Sequence, residues 1–158
     1  MKNSFISKII LVAIVFLSTT TSLAHNKRLL DDNPYDLEQF YRANNLFDKG
    51  QYEDALNIYD NLIAEYPDEA FIRAEKAMTL SAMGRFDEAL KIIARVYKEW
   101  KDPEVPVYIT YAECLLHENE LKKAEEVLAQ GIEKFPEVGQ LHFNMGLLEL
   151  QREMSKVL

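Results

Sequence analysis

Apolar residues recur at helical spacing in two neighbouring stretches, "LEQFYRANNLF" (37–47) and "ALNIYDNLIAEY" (55–66). The segment between them, "DKGQYED", contains Gly50, which ends a helix without steric strain. It also contains an acidic pair, which favours the start of the next helix. The pattern therefore predicts two helices joined by a short turn.

This hairpin pattern occurs more than once. "KGQYEDALNIY" begins at Lys49, "MGRFDEALKII" begins at Met83, and a weaker copy, "LKKAEEVL", begins at Leu121. The copies align on two sets of small residues at intervals of 34 or 35: Ala43, Ala77, Ala112 and Gly146 in the first helices, and Ala55, Ala89 and Ala124 in the second. The spacing predicts three hairpins and one further helix.

Small residues in both helices of a hairpin have a steric role, because they let two backbones approach closely. A larger side chain at such a crossing costs about 1–3 kcal/mol. An aromatic or aliphatic residue follows each turn and is expected to fill the gap between neighbouring hairpins: Tyr52, Phe86 and Leu121. Both groups of residues are therefore predicted to be structural.

The unit of about 34 residues, with Gly before an aromatic, Ala three positions beyond it and a terminal Pro, resembles the tetratricopeptide repeat. "GQYEDALNIYDNLIAEYP" shows nearly all of these features. The second copy keeps Gly84 but has Lys101 in place of the proline, and the third has Asn119 for the glycine but keeps Pro136. The resemblance extends over roughly residues 35–158.

The resemblance implies an all-α protein, a right-handed α-solenoid of seven helices. Its expected parts are hairpins at 36–67, 70–102 and 105–136 and a capping helix at 139–158. Polar residues from Gln151 to Lys156 fit the solvent-facing side of such a cap. The alternative is an unfinished fourth repeat that is completed by a partner, or by a second copy in a homodimer.

In proteins of this family the first helices line a concave groove that binds protein segments, and the resemblance assigns the groove residues here. They are Leu37, Phe40, Asn44, Phe47, Phe71, Ala74, Met78, Ser81, Pro106, Ile109, Glu113, Leu116, Phe143, Leu147 and Leu150. The set is mostly apolar, which favours a ligand held by side-chain pockets. The alternative is that three hairpins wind too tightly to leave a groove, so that these residues pack on each other.

Family members that bind chaperones hold a terminal carboxylate with Lys, Arg and Asn side chains in the groove. Here only Asn44 fits that pattern, and apolar residues such as Phe40 and Met78 occupy other positions of the wall. The sequence therefore disfavours a carboxylate clamp.

The first 24 residues have the features of a signal peptide: Lys2 and Lys8, the apolar run "IILVAIVFL", and small residues at Ser22 and Ala24. Cleavage after Ala24 is expected, followed by a linker at 25–34. The run is short against the roughly 20 residues of a membrane-spanning helix. Export to the bacterial periplasm is predicted, with an uncleaved membrane anchor as the alternative.

The composition limits the chemistry. A formal net charge of −8 argues against nucleic acid as a partner, since that requires clustered Lys and Arg. Cys114 is the only cysteine, and His25, His117 and His142 lack metal-ligand spacing. Glycines occur singly, so no phosphate loop is present. No enzyme activity, cofactor, metal or small-molecule substrate is therefore predicted.

Two kinds of binding protein remain. The favoured one is a non-catalytic adaptor, scaffold or assembly factor of the cell envelope that holds a protein segment in its groove. The other is a small secretion chaperone with three repeats, which normally works in the cytoplasm, so the signal peptide separates the two. An accessory enzyme that uses His117 or Cys114 is the alternative from another class.

Overall fold

The computed structural model describes residues 33–157, with side chains up to Lys156, and within that range the chain forms seven α-helices and no β-strand. The predicted all-α architecture is confirmed. The predicted signal peptide and residues 25–32 of the linker lie outside the described residues. The helices are α1 Pro34–Asp48, α2 Tyr52–Glu65, α3 Ala70–Ala82, α4 Phe86–Glu99, α5 Val105–His117, α6 Leu121–Lys134 and α7 Gly139–Val157.

By its internal contacts the chain divides into two units, Met1–Tyr41 and Arg42–Leu158, with the boundary inside α1. The described part of the first unit is the start of this helix. The side-chain oxygen of Asn33 accepts a hydrogen bond from the Tyr35 N–H at 3.1 Å, and its Nδ2 donates to Asp36 at 2.7 Å. Asn33 thus satisfies a free N–H of the first turn, and Pro34 suits the first helical position.

In the second unit the same turn joins the two helices of each hairpin. The second residue after the first helix has a left-handed backbone in all three: Gly50 (φ 73°), Gly84 (φ 75°) and Asn119 (φ 59°). The next N–H reaches back to a carbonyl five residues earlier: Gln51 to Leu46 at 2.9 Å, Arg85 to Leu80 at 2.9 Å and Glu120 to Leu115 at 2.8 Å. Asn replaces Gly in the third turn because its side chain tolerates this conformation better than most.

Close packing within the hairpins follows the small residues. Six alanines of the repeat are completely buried: Ala43, Ala55, Ala77, Ala89, Ala112 and Ala124. Gly146 differs, because it is exposed and a Cβ added there would meet nothing within 4 Å. The expectation that Gly146 is tightly packed is therefore corrected: no described helix covers that face of α7.

The closest approach of a glycine to neighbouring side chains is at Gly131 in α6. A Cβ at this position would lie 3.1 Å from a methyl group of Leu141 and 3.2 Å from Cβ of Tyr108. Helices α5 and α7 therefore both reach the α6 backbone at one point, which is the tightest site among the glycines of the described chain.

Helix α7 packs against α6 and α5 through Leu141 and Leu148, which are completely buried. Two polar contacts hold α7 in place nearer its C-terminal end. Nε2 of Gln151 donates to the carbonyl of Leu116 at 3.1 Å, and Arg152 pairs with Glu125 at 2.6 Å. The last helix is thus docked on the third hairpin.

Candidate functional site

A groove of about 900 Å³ lies within the second unit. Its wall is formed by the last turns of α1 and α3, the start of α4, and by α5 and α7 along much of their length. This volume is at the upper end of the range for ligand pockets, about 300–1,000 Å³. The groove therefore has room for a segment of polypeptide.

Ten of the fifteen residues assigned to the groove from the sequence line it: Phe47, Met78, Ser81, Pro106, Ile109, Glu113, Leu116, Phe143, Leu147 and Leu150. The structure places the other five elsewhere. Leu37, Phe40, Phe71 and Ala74 are buried, and Asn44 accepts a hydrogen bond from the Tyr59 hydroxyl at 2.6 Å. Of these five, Asn44, Phe71 and Ala74 belong to the second unit and are not among the side chains that line this groove. The assignment of all five to a partner-binding surface stays a prediction.

The remaining lining residues were not identified from the sequence: Ala82, Phe86, Thr110, His117, Gln140, Asn144, Gln151 and Met154. On α7 the helical periodicity already contained a signal, because Asn144, Gln151 and Met154 lie three or four positions from Phe143, Leu147 and Leu150. Phe86 was assigned only to packing. Its ring stacks on the His117 imidazole with centroids 4.0 Å apart, so both rings form one edge of the groove.

The groove is open and apolar. On α7, Phe143 is 59% exposed, Leu147 41% and Met154 61%, and all three line it. Large apolar side chains are rarely left in contiguous exposed patches unless another molecule covers them. The alternative in which the groove residues only pack on each other is therefore incompatible with the α7 wall.

One carboxylate interrupts this apolar wall. Glu113 of α5 is half-buried; loss of hydration raises its pKa, while the nearby Asn144 amide lowers it in part. Asn144 is 1% exposed, and its Oδ1 accepts a hydrogen bond from Gln140 at 3.1 Å. The Asn144 amide also hydrogen-bonds the Glu113 side chain, which is the interaction that lowers the pKa of that group.

The residues considered for chemistry are Cys114 and His117 on α5 and His142 on α7. Cys114 is completely buried, and burial raises the pKa of its thiol to about 11, so it stays protonated at neutral pH. His142 is exposed and bonds the Pro136 carbonyl at 2.8 Å. Within residues 33–157 no group of three or more His, Cys, Asp and Glu side chains is arranged to hold a metal ion.

Glu75 of α3 has the most perturbed carboxyl group for which the structure gives a value. Burial, with the nearby charges of Glu104 and Asp48, raises its pKa to about 7. A perturbed carboxyl group is a candidate for acid–base catalysis when it lies in a cleft. Glu75 does not line the groove. The shift of its pKa therefore reflects burial and two neighbouring carboxylates outside the groove wall.

Comparisons with known proteins agree with this geometry. A family model described as "Tetratricopeptide repeat" matches residues 46–105. A TPR repeat-containing thioredoxin, TTL4 of Arabidopsis thaliana, is 39% identical over 57 residues, which are 35% of this chain and 8% of that protein. The chain thus spans less than a tenth of this relative.

Solved structures show the same fold at low sequence identity. The first TPR domain of human RPAP3 has a TM-score of 0.70 at 13% identity, with 77% of this chain and 94% of that one covered. The Arabidopsis OM64 TPR domain has a TM-score of 0.67 at 15% identity, with 73% and 94% covered. The second TPR domain of human RPAP3, solved with an HSP70 peptide, SGPTIEEVD, has a TM-score of 0.64 at 19% identity, with 70% and 92% covered.

The fold and the groove define an all-α repeat protein of the protein-interaction class. Residues 46–105 match the tetratricopeptide repeat, and the described chain has the fold of tetratricopeptide repeat domains, with three helix hairpins and a seventh helix docked on the third. In the described part of the chain, none of the helices combines the length and apolarity required to cross a membrane.

Proposed function

We propose that this protein is a non-catalytic interaction module that holds a segment of another protein in the groove between α1 and α7. The observation that carries the proposal is the open row of apolar side chains on α7, Phe143, Leu147 and Met154, at the groove wall. A solved neighbour of the same fold contains a bound peptide. Exposed aromatic and aliphatic side chains that converge on one groove are typical of peptide-binding sites.

The ligand differs in chemistry from the peptide in that neighbour. SGPTIEEVD contains three acidic side chains, whereas the groove wall here has no Lys or Arg and has a carboxylate at Glu113. An acidic peptide would gain no ion pair in this groove and would face Glu113. The groove wall fits instead a segment whose apolar side chains are held in pockets.

A double substitution tests the groove directly. Phe143→Ser with Leu147→Ser is expected to weaken partner binding by at least about 30-fold, because interface anchors contribute 2 kcal/mol or more each. Both residues are exposed, so the helical circular dichroism signal should be unchanged. The measurement is recovery of bound proteins from an extract of the native organism, followed by titration of the partner.

The matched control is Tyr35→Ser, because Tyr35 is 65% exposed and does not line the groove. It should bind as the unsubstituted chain does, with little dependence on salt. Equal recovery by the groove variant would contradict the proposal. If the unsubstituted chain self-associates and the groove variant does not, the groove binds a second copy of this chain, as in the homodimer alternative.

We further propose that the protein is exported, as a cell-envelope adaptor or scaffold rather than a cytoplasmic secretion chaperone. The support is the signal-peptide pattern of residues 1–24. Protein recovered from the periplasm is expected to begin at His25 in N-terminal sequencing. Recovery of a chain that begins at Met1 in the cytoplasm would favour the chaperone, and the same chain in the membrane fraction would favour an uncleaved anchor.

A further inference from the structure

The groove wall contains one carboxylate, Glu113, and no lysine or arginine. Glu113 forms no ion pair within the described part of the chain. An apolar groove for purely apolar segments has no physical need for a carboxylate, and a charge without a partner opposes the loss of water when a ligand covers it. Glu113 therefore indicates which kind of ligand the groove accepts.

Asn144 lies beside this carboxylate. It is 1% exposed and lines the groove, and its Oδ1 accepts a hydrogen bond from Gln140, so the N–H₂ end of the amide is the donor toward Glu113. The amide hydrogen-bonds the Glu113 side chain and holds it at the groove wall. An amide carries no charge, so the carboxylate still lacks a cation.

What the groove lacks is a cation for the Glu113 carboxylate. A polypeptide segment supplies one in a basic side chain. An acidic segment would be repelled, and a segment without any charge would cover Glu113 without compensation. The complementarity therefore selects one kind of segment.

Building on the proposed groove function, we propose that the ligand is a mainly apolar segment of another protein with one Lys or Arg. The basic side chain pairs with the Glu113 carboxylate, which Asn144 holds at the groove wall. Apolar side chains on either side of the cation contact Ile109 on α5 and Phe143 and Leu147 on α7. Glu113 is thus the residue that determines specificity, and the apolar wall supplies most of the affinity.

A selection of random 12-residue peptides displayed on phage tests this on the purified full chain. Selected peptides are expected to be apolar with one Lys or Arg more often than the starting library. Synthetic copies of the selected peptides should bind the Glu113→Gln variant about 10–100-fold more weakly than the unsubstituted chain. This is the usual range, about 10–100-fold, for the loss of a charge-assisted hydrogen bond. The control Glu126→Gln makes the same change of charge at an exposed position outside the groove, and should alter the Kd by less than about threefold.

A double-mutant cycle isolates the contact. Norleucine in place of the peptide's basic residue should weaken binding to the unsubstituted chain but not to Glu113→Gln, because the pair is then already broken. Selected peptides without a basic residue, or equal losses for norleucine on both proteins, would overturn the ion pair. If Phe143→Ser with Leu147→Ser fails to weaken any selected peptide, the groove function itself is overturned, so the two failures are distinguishable.

Discussion

Replacing Phe71 by alanine is expected to lower the free energy of unfolding by about 3–5 kcal/mol, the usual cost of removing a buried aromatic ring. Phe71 is 8% exposed, in the first turn of α3. The side chains around Phe71 do not move far enough to fill the space of the missing ring, so the truncation leaves a cavity. Urea denaturation followed by circular dichroism measures the change.

Phe143→Ala is the matched control, because it removes the same side chain from a position that is 59% exposed. Substitutions at exposed positions usually change the free energy of unfolding by less than about 0.5 kcal/mol. The urea midpoint of Phe143→Ala should therefore equal that of the unsubstituted chain. The two phenylalanines were assigned to the same groove from the sequence. Equal midpoints for Phe71→Ala and the unsubstituted chain would show that Phe71 is not a core residue.

Gly131→Leu is expected to destabilise the protein by about 3 kcal/mol, at the upper end of the cost of overpacking. A Cβ at Gly131 would already lie 3.1 Å from Leu141 and 3.2 Å from Tyr108, and the rest of a leucine has no space between α5 and α7. The substitution should separate α7 from the third hairpin. Thermal unfolding and protease sensitivity near α7 would both report it.

The control for this substitution is Gly146→Leu, one helix away. Nothing lies within 4 Å of a Cβ at Gly146, so the leucine meets no steric obstacle. It should leave stability unchanged or raise it by up to about 1 kcal/mol, because leucine favours a helix more than glycine does. A large loss of stability at Gly146 would mean that another part of the protein covers this face of α7.

The hairpins could be predicted from the sequence because local rules determine them. A buried alanine at a helix crossing, such as Ala89, is required by the distance between two backbones and recurs at the same register. Asn119 extends the rule, since its left-handed backbone (φ 59°) makes it equivalent to Gly50 and Gly84 despite the change of residue. Each of these features depends only on residues within one hairpin.

The groove wall was only partly predictable. Met78 and Ile109 were assigned to it and line the groove, whereas Phe40 and Phe71 were assigned to it and are buried. Apolar residues on one face of a helix have the same sequence pattern whether a neighbouring helix or solvent covers them. Asn144 was missed for the complementary reason, because a polar residue in a helix gives no sign that its amide is buried.

By itself the sequence determined the repeat, the number of helices and the turns, because these follow from propensity, backbone conformation and side-chain size within about 34 residues. Tertiary structure alone decided which apolar faces remain open, since burial depends on how one hairpin lies against the next. It also decided that Glu113 and Asn144 meet, although they are 31 residues apart in the chain and lie on α5 and α7. The proposed specificity of the groove arises from that meeting of two helices, which no single repeat encodes.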